Sequence, residues 1–279
     1  MSTETPATLV VAPDPADPAL TRAVTGRDQT GAPVDLRVVE ERPLAIYLNS
    51  REIVTAMTIG DHPKWLALGF LVNQGMVTAA DEVTAIDHDP EAEAVVVRTR
   101  IETDHEARLA RATRTSGCAV GTVFGDMMEG LDGLTLPQTP LRVSDLRALA
   151  AAIARTPSLY LSAGAIHGTC LCAGPEPLAY FEDVGRHNAV DKLAGWMRVT
   201  GADPSDKTLF TTGRLTSEMV SKCALMGIPS LVSRSGFTAW GVEIARQVGL
   251  TVIGRMKGER FDCLSGEERV VWDGRDATA

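Results

Sequence analysis

Apolar and polar residues alternate in short runs through "VDLRVVEERPLAIYLNSREIVTAMTI", Val34 to Ile59. Asn49-Ser50 supplies turn chemistry between two of the runs, so the stretch predicts a hairpin or meander. "HPKWLALGFLVNQGM" then changes to helical spacing. Trp65, Leu68, Gly69 and Val72 fall on one face, and Gly75 ends the helix. "AEAVVVRTRIE" reads as another strand. The first half is therefore a small α+β unit. The turn-rich stretch from Leu131 to Arg142 is the expected boundary. Beyond it, Ser144 fits an N-cap for a helix with Leu146, Leu149 and Ile153 on its apolar face.

The last third has a repeating order. "TLF", Thr208 to Phe210, is a short strand, and "LTSEMVSKCALMG" follows with Leu215, Met219, Cys223 and Met226 along one helix face. "IPSLVS" is a second strand. "FTAWGVEIARQVGL" is a second helix, with Phe237, Trp240, Gly241, Ile244 and Val248 on its stripe, and "TVIG" is a third strand. A β-α-β-α-β order predicts parallel strands joined by right-handed crossovers. The fold class expected is α/β, with an α+β N-terminal part.

Composition narrows the function. At about 150 residues per domain, 279 residues suggest two domains. A net charge of -9 argues against a nucleic-acid or membrane-surface binder. No apolar run approaches the roughly 20 residues that span a bilayer, and "MSTETPATLVVAPDPADPAL" lacks a signal-peptide pattern. The expected location is the cytoplasm. Residues 1–33 read as a mobile tail with one short strand near Thr8–Val11, residues 34–140 as the small domain, and residues 141–279 as the larger one. Five cysteines without a signal peptide argue against a disulfide framework, and no pair of Cys-x-x-Cys clips points to zinc.

In an open α/β sheet, ligands bind beyond the carboxyl ends of the strands. The expected ends run into Thr211-Thr212-Gly213-Arg214, Ser233-Arg234-Ser235-Gly236 and Gly254-Arg255-Met256-Lys257-Gly258-Glu259-Arg260. Each joins glycine or hydroxyl groups to a cation, which suits a phosphate-bearing ligand. Neither a GxGxxG fingerprint nor a GxxxxGK[ST] loop is present. "EDVGRHNAVDKLAGWM" places Arg186 and His187 at a helix start, where they serve either an anion or a capping turn built on Asp183 or Asn188.

His167-Gly168-Thr169 followed by Cys170-Leu171-Cys172 lacks the Glu and the cysteine spacing of a zinc nucleobase deaminase. Cys170, Cys172 and Cys223 read as core, and nothing in the pattern assigns Cys263 a function. Cys118, in "RTSGCAVG", has no apolar periodicity around it, two glycines close by, and Arg111 and Arg114 upstream. It is either an incidental loop cysteine or a thiol activated by its cations.

"EDVGRHNAVDK", "GRLTSEMVSKCALMGIP" and "GLTVIGRMKGERF", with "PLAIYLN", "MTIGDHPKWLALGFLVNQG" and "SGCAVG" in order before them, resemble the formate dehydrogenase accessory sulfurtransferases, FdhD. The resemblance covers nearly everything after the N-terminal tail. It implies a sulfurtransferase that takes persulfide sulfur from a cysteine desulfurase. It further implies delivery to the molybdenum bis(molybdopterin guanine dinucleotide) cofactor before insertion into formate dehydrogenase. Cys118 then stands at the persulfide position. Arg255, Met256, Lys257, Gly258, Glu259 and Arg260 stand where the family holds the nucleotide, and His167 aligns with the histidine of a Gly-Gly-x-His stretch. Gly213, Arg214, Ser233, Ser235, Arg186 and His187 complete the expected cofactor site, with GDP as a mimic. The resemblance also implies a homodimer and a cytidine-deaminase-like, three-layer α/β/α C-terminal domain without zinc. Gly121 replaces the second cysteine of the family's Cys-x-x-Cys loop, which excludes a relay between two loop thiols. Ser235-Gly236-Phe237-Thr238 departs from Ser-Ala-Pro-Thr, and Ile59-Gly60 from a threonine-proline. The rival readings are a non-catalytic chaperone that binds and inserts the cofactor, and a nucleotide-modifying hydrolase.

Overall fold

A computed structural model describes residues 9–78, 82–100, 113–114, 121–122 and 128–273. Among the described residues the first strand is β1 (Val10–Ala12), followed by β2 (Thr21–Arg27) and β3 (Pro33–Val39), which pair as a two-stranded ribbon. β4 (Arg42–Leu48) and β5 (Arg51–Thr58) form the expected hairpin, and Asn49 takes a φ of 54°, which asparagine tolerates in tight turns. α1 (Pro63–Asn73) follows, and β6 (Val83–Asp89) and β7 (Ala94–Thr99) complete a sheet ordered β5-β4-β7-β6. Leu44, Ile46, Leu48, Val95 and Val97 of this sheet pack on Leu66, Ala67 and Leu71 of α1. β8 (Thr113–Arg114) and β9 (Gly121–Thr122) pair antiparallel.

β10 (Leu141–Arg142) leads into α2 (Val143–Arg155) and the short α3 (Leu159–Ser162). Then come β11 (His167–Ala173), β12 (Glu176–Asp183), α4 (Arg186–Thr200), β13 (Thr208–Thr211), α5 (Ser217–Leu225), β14 (Ser230–Ser233) and α6 (Ala239–Val248). β15 (Thr251–Lys257), β16 (Arg260–Ser265) and β17 (Val270–Val271) finish the fold. Seven strands make one sheet ordered β1-β12-β11-β13-β14-β15-β16, in which β13, β14 and β15 run parallel as the β-α-β-α-β order requires.

Strand alternation builds two cores from this sheet. Leu171, Leu209, Leu231 and Val252 face the layer holding Val190, Met219 and Ile244 of α4, α5 and α6. Their chain neighbours Cys170, Phe210, Val232 and Ile253 face Leu146, Leu149 and Ile153 of α2. The result is a helix-sheet-helix sandwich in a mixed α/β protein.

Four expectations are corrected. Residues 1–33 are not all tail: the short strand expected near Thr8–Val11 is β1 at Val10–Ala12, a parallel edge strand of the large sheet, and β2 lies within the ribbon. Ser144 is not an N-cap: α2 begins at Val143, and Ser144 instead gives its backbone N–H (2.9 Å) and hydroxyl (2.7 Å) to Asp273. Trp240 is 48% exposed, because the buried stripe of α6 is Gly241, Ile244, Ala245 and Val248. Residues 255–260 are not a loop at a strand end. β15 continues through them into a hairpin with β16, and Arg255 takes a φ of 53° where the register shifts.

The two halves meet where α1 crosses α4. A Cβ on Gly69 would stand 1.7 Å from the Asp191 carbonyl oxygen, and one on Gly195 would stand 2.0 Å from that of Trp65. Only glycine permits this backbone contact. Around it lies a set of buried charges. Lys192 pairs with Asp183 at 2.5 Å and with Asp61, and Lys222 pairs with Asp191 at 2.9 Å. Thr58 donates to Asp183 at 2.5 Å and Asn73 to Asp191 at 2.7 Å. Burial opposes the charge on Lys192, but Asp183 and Asp61 outweigh it and raise the ammonium pKa.

Candidate functional site: a cationic rim at the strand ends

β13 and β14 end side by side, and antiparallel β11 begins there. α4, α5 and α6 start from the same end, with N-caps Gly185, Thr216 and Thr238. Their free N–H groups give that end partial positive charge. Most of the sequence-predicted residues meet here. His167 opens β11, half-buried, with its Nδ1 3.2 Å from the Thr212 hydroxyl. Burial, then Arg186 and Arg214, lower its pKa, so the imidazole is neutral at neutral pH. Arg186 opens α4 and lies over Gly213, where an added Cβ would stand 2.9 Å from Arg186 Cβ. Arg214 is exposed.

Ser233 is buried and occupied. Its hydroxyl donates to the Gly213 carbonyl at 2.6 Å and accepts the Ser235 N–H at 2.9 Å. It shapes the turn that presents Arg234 and Ser235. His187 is 3% exposed, with its Nε2 3.4 Å from Glu218 Oε2. Burial, then Lys222 and Arg186, push its pKa well down, and neither ring nitrogen makes a hydrogen bond among the described residues. Asn188 donates to the Met57 carbonyl at 2.7 Å and to Asp183 at 3.1 Å, so both belong to the buried seam.

The 255–260 hairpin joins this rim through the Arg255 N–H, which donates to the Ser235 carbonyl at 2.7 Å. Arg255 pairs with Asp262 at 3.4 Å, and Lys257, Gly258, Glu259 and Arg260 are exposed. The Met256 side chain is buried in the α2 core. Two adjoining cavities flank the hairpin. One, of about 410 Å³, is lined by Arg147, Arg255, Arg260, Phe261 and Trp272. The other, of about 580 Å³, is lined by Ala150, Ala151, Phe210, Arg234 and Lys257. Arg147 and Glu259 line both. Sequence reasoning missed Arg147 and Trp272. The available signal was a polar and small-residue face on α2, Arg147, Ala150, Ala151 and Ala154, at helical spacing.

The cysteines divide clearly. Cys170, Cys172 and Cys223 are fully buried. Burial raises the thiol pKa values of Cys172 and Cys223 far above the usual range. Cys263 is half-buried, and desolvation pushes it up to about 11. Cys118 lies outside the described residues, between β8 and β9, whose Arg114 and Gly121 are paired.

Sequence comparison gives this geometry its family. The FdhD/NarQ family profile matches residues 39–271. The chain belongs to the FdhD/NarQ family. Relatives named "Sulfur carrier protein FdhD" include one from Chromobacterium violaceum, 35% identical over 77% of this chain and 83% of its own. One from Wolinella succinogenes is 29% identical over 84% and 82%. A crystal structure from Desulfotalea psychrophila, named for the formate dehydrogenase accessory proteins, superposes with a TM-score of 0.73 at 27% identity. The match covers 90% of this chain and 98% of that one. No helix among the described residues is long and apolar enough to cross a membrane.

Proposed function

We propose that the protein is a cytoplasmic sulfur carrier, active as a homodimer, in the maturation of formate dehydrogenase. The names borne by its relatives support the role. The observation that supports it is the burial, or raised pKa, of the four described thiols, which favours Cys118, at the family's persulfide position, as the residue that bears sulfur. Its thiolate attacks the terminal sulfur of a cysteine desulfurase persulfide. The donor's S–S bond breaks, the donor cysteine leaves as a thiolate, and a new persulfide forms on Cys118 with no net oxidation. The sulfur then passes to the molybdenum bis(molybdopterin guanine dinucleotide) cofactor, which is cargo. The guanine nucleotide phosphates fit the cations of the rim and of the 255–260 hairpin. A cytidine-deaminase-like fold belongs to the same reading.

Incubation with a desulfurase and cysteine, followed by intact-mass analysis, tests this. One added sulfur is expected, lost in Cys118→Ala along with all activation of formate dehydrogenase. No adduct, with cofactor binding retained, would make the protein a binding and insertion chaperone instead.

A further inference from the structure

Two side chains present open binding surface to the cavities beside the hairpin. The Trp272 side chain stacks on Phe261, with ring centroids 5.9 Å apart and planes 14° apart, yet Trp272 remains 55% exposed. A large aromatic ring held flat by a second ring, with its outer side open to a cavity, is a platform for another planar group. Arg147 stands in the wall shared by both cavities. Its Nε is buried with no hydrogen-bond partner among the described residues, and its guanidinium reaches Glu259, whose side chain is 80% exposed, only at 3.9 Å. A buried guanidinium nitrogen without an acceptor leaves a strong donor unsatisfied.

The carboxylates nearby are more firmly held. Asp273 accepts from Ser144, and Asp262 faces Arg255. The second cavity adds Arg234 and Lys257 around an apolar floor of Phe210 and Met256, closed on one side by Ala150, Ala151 and Ala154. The combination is a flat aromatic surface, then a cationic fork, then a slot with basic edges.

We propose that Trp272 and Arg147 are ligand-binding residues, the first stacking a purine base in one cavity and the second gripping the attached phosphates at the entrance to the other. The proposal rests on the nucleotide-cargo reading and places the nucleotide on the α2 side of the hairpin, away from His167, Arg186 and Arg214. Small side chains at Ala150, Ala151 and Ala154 then set the width of the phosphate slot.

Titration of the full chain with GDP by calorimetry and by tryptophan fluorescence tests it. Trp272→Ala should weaken binding about tenfold or more, with Trp272→Phe recovering most of the loss. Arg147→Ala should weaken binding by a similar factor and flatten its salt dependence. Ala151→Leu should block the slot. Trp272 is exposed, so its variants should keep the parent melting temperature, and quenching of its emission by GDP reports contact directly. Binding unchanged in all these variants but lost in Arg186→Ala with Arg214→Ala would overturn the proposal and leave the sulfur-carrier reading intact. No GDP binding by the parent chain would remove both this site and the nucleotide part of that reading. The Cys118 mass test stands apart from either result.

Discussion

The α1–α4 seam and the strand-end rim are both dense in charge, and they use it oppositely. In the seam, Lys192 and Lys222 are at most 1% exposed and each faces carboxylates. In the rim, Arg214, Arg234 and Arg255 are exposed beside helix N-termini. One stretch, "EDVGRHNAVDK", supplies both. Asp183, Asn188, Asp191 and Lys192 turn into the seam, whereas Arg186 turns toward the rim. A charged motif is therefore not in itself a ligand site. Burial and partners decide which of its residues meet solvent and which hold the halves together.

Breaking the seam should have the largest effect. Lys192→Met leaves Asp183 and Asp61 buried without their cation and should cost about 3–5 kcal/mol of stability, read by chemical denaturation. A loss below about 1 kcal/mol would show that the seam does not hold the halves together.

His187 joins the two regions, and its effect should depend on pH. Its folded pKa lies below the unfolded value of 6.5, so the unfolded chain takes up the proton first as pH falls. Stability should begin to fall near pH 6.5, with the full loss present once pH is below the folded pKa. His187→Gln should flatten that part of the profile. A curve that keeps its slope would assign the loss to other groups.

The smallest expected effect is on the rim. Arg214→Ala should shift stability by no more than about 0.5 kcal/mol, because the side chain is exposed. A larger loss in thermal unfolding would mean that the rim is structural as well.

Local patterns made the β13–β15 order, α1, α5 and the core cysteines legible, because each element is a short, apolar-rich run bounded by turn residues and buried through most of its length. Contacts between distant segments were not. Ser144 looked like a cap, but its partner Asp273 lies at the other end of the domain. Residues 255–260 read as a loop because Gly258 breaks the pattern, although it is the turn of a hairpin. Nothing in the sequence marks Lys192 and Lys222 as buried, since lysine is usually solvated. Their acids come from the turn before α1, the end of β12, α4 and α5, which no single window contains. Trp272 had no periodic neighbour to mark it, and only the Phe261 stack shows its setting.

The edge strand β1 has a consequence for synthesis. Val10 pairs with Ala179, and Ala12 with Phe181, across more than half of the chain. A ribosome releases the strand long before its partner exists. The opening residues must therefore wait while the four-stranded sheet and α1 take shape, and they dock only after β12 has emerged. β1 is thus made well before it can find its place, and its docking completes the large sheet along that edge.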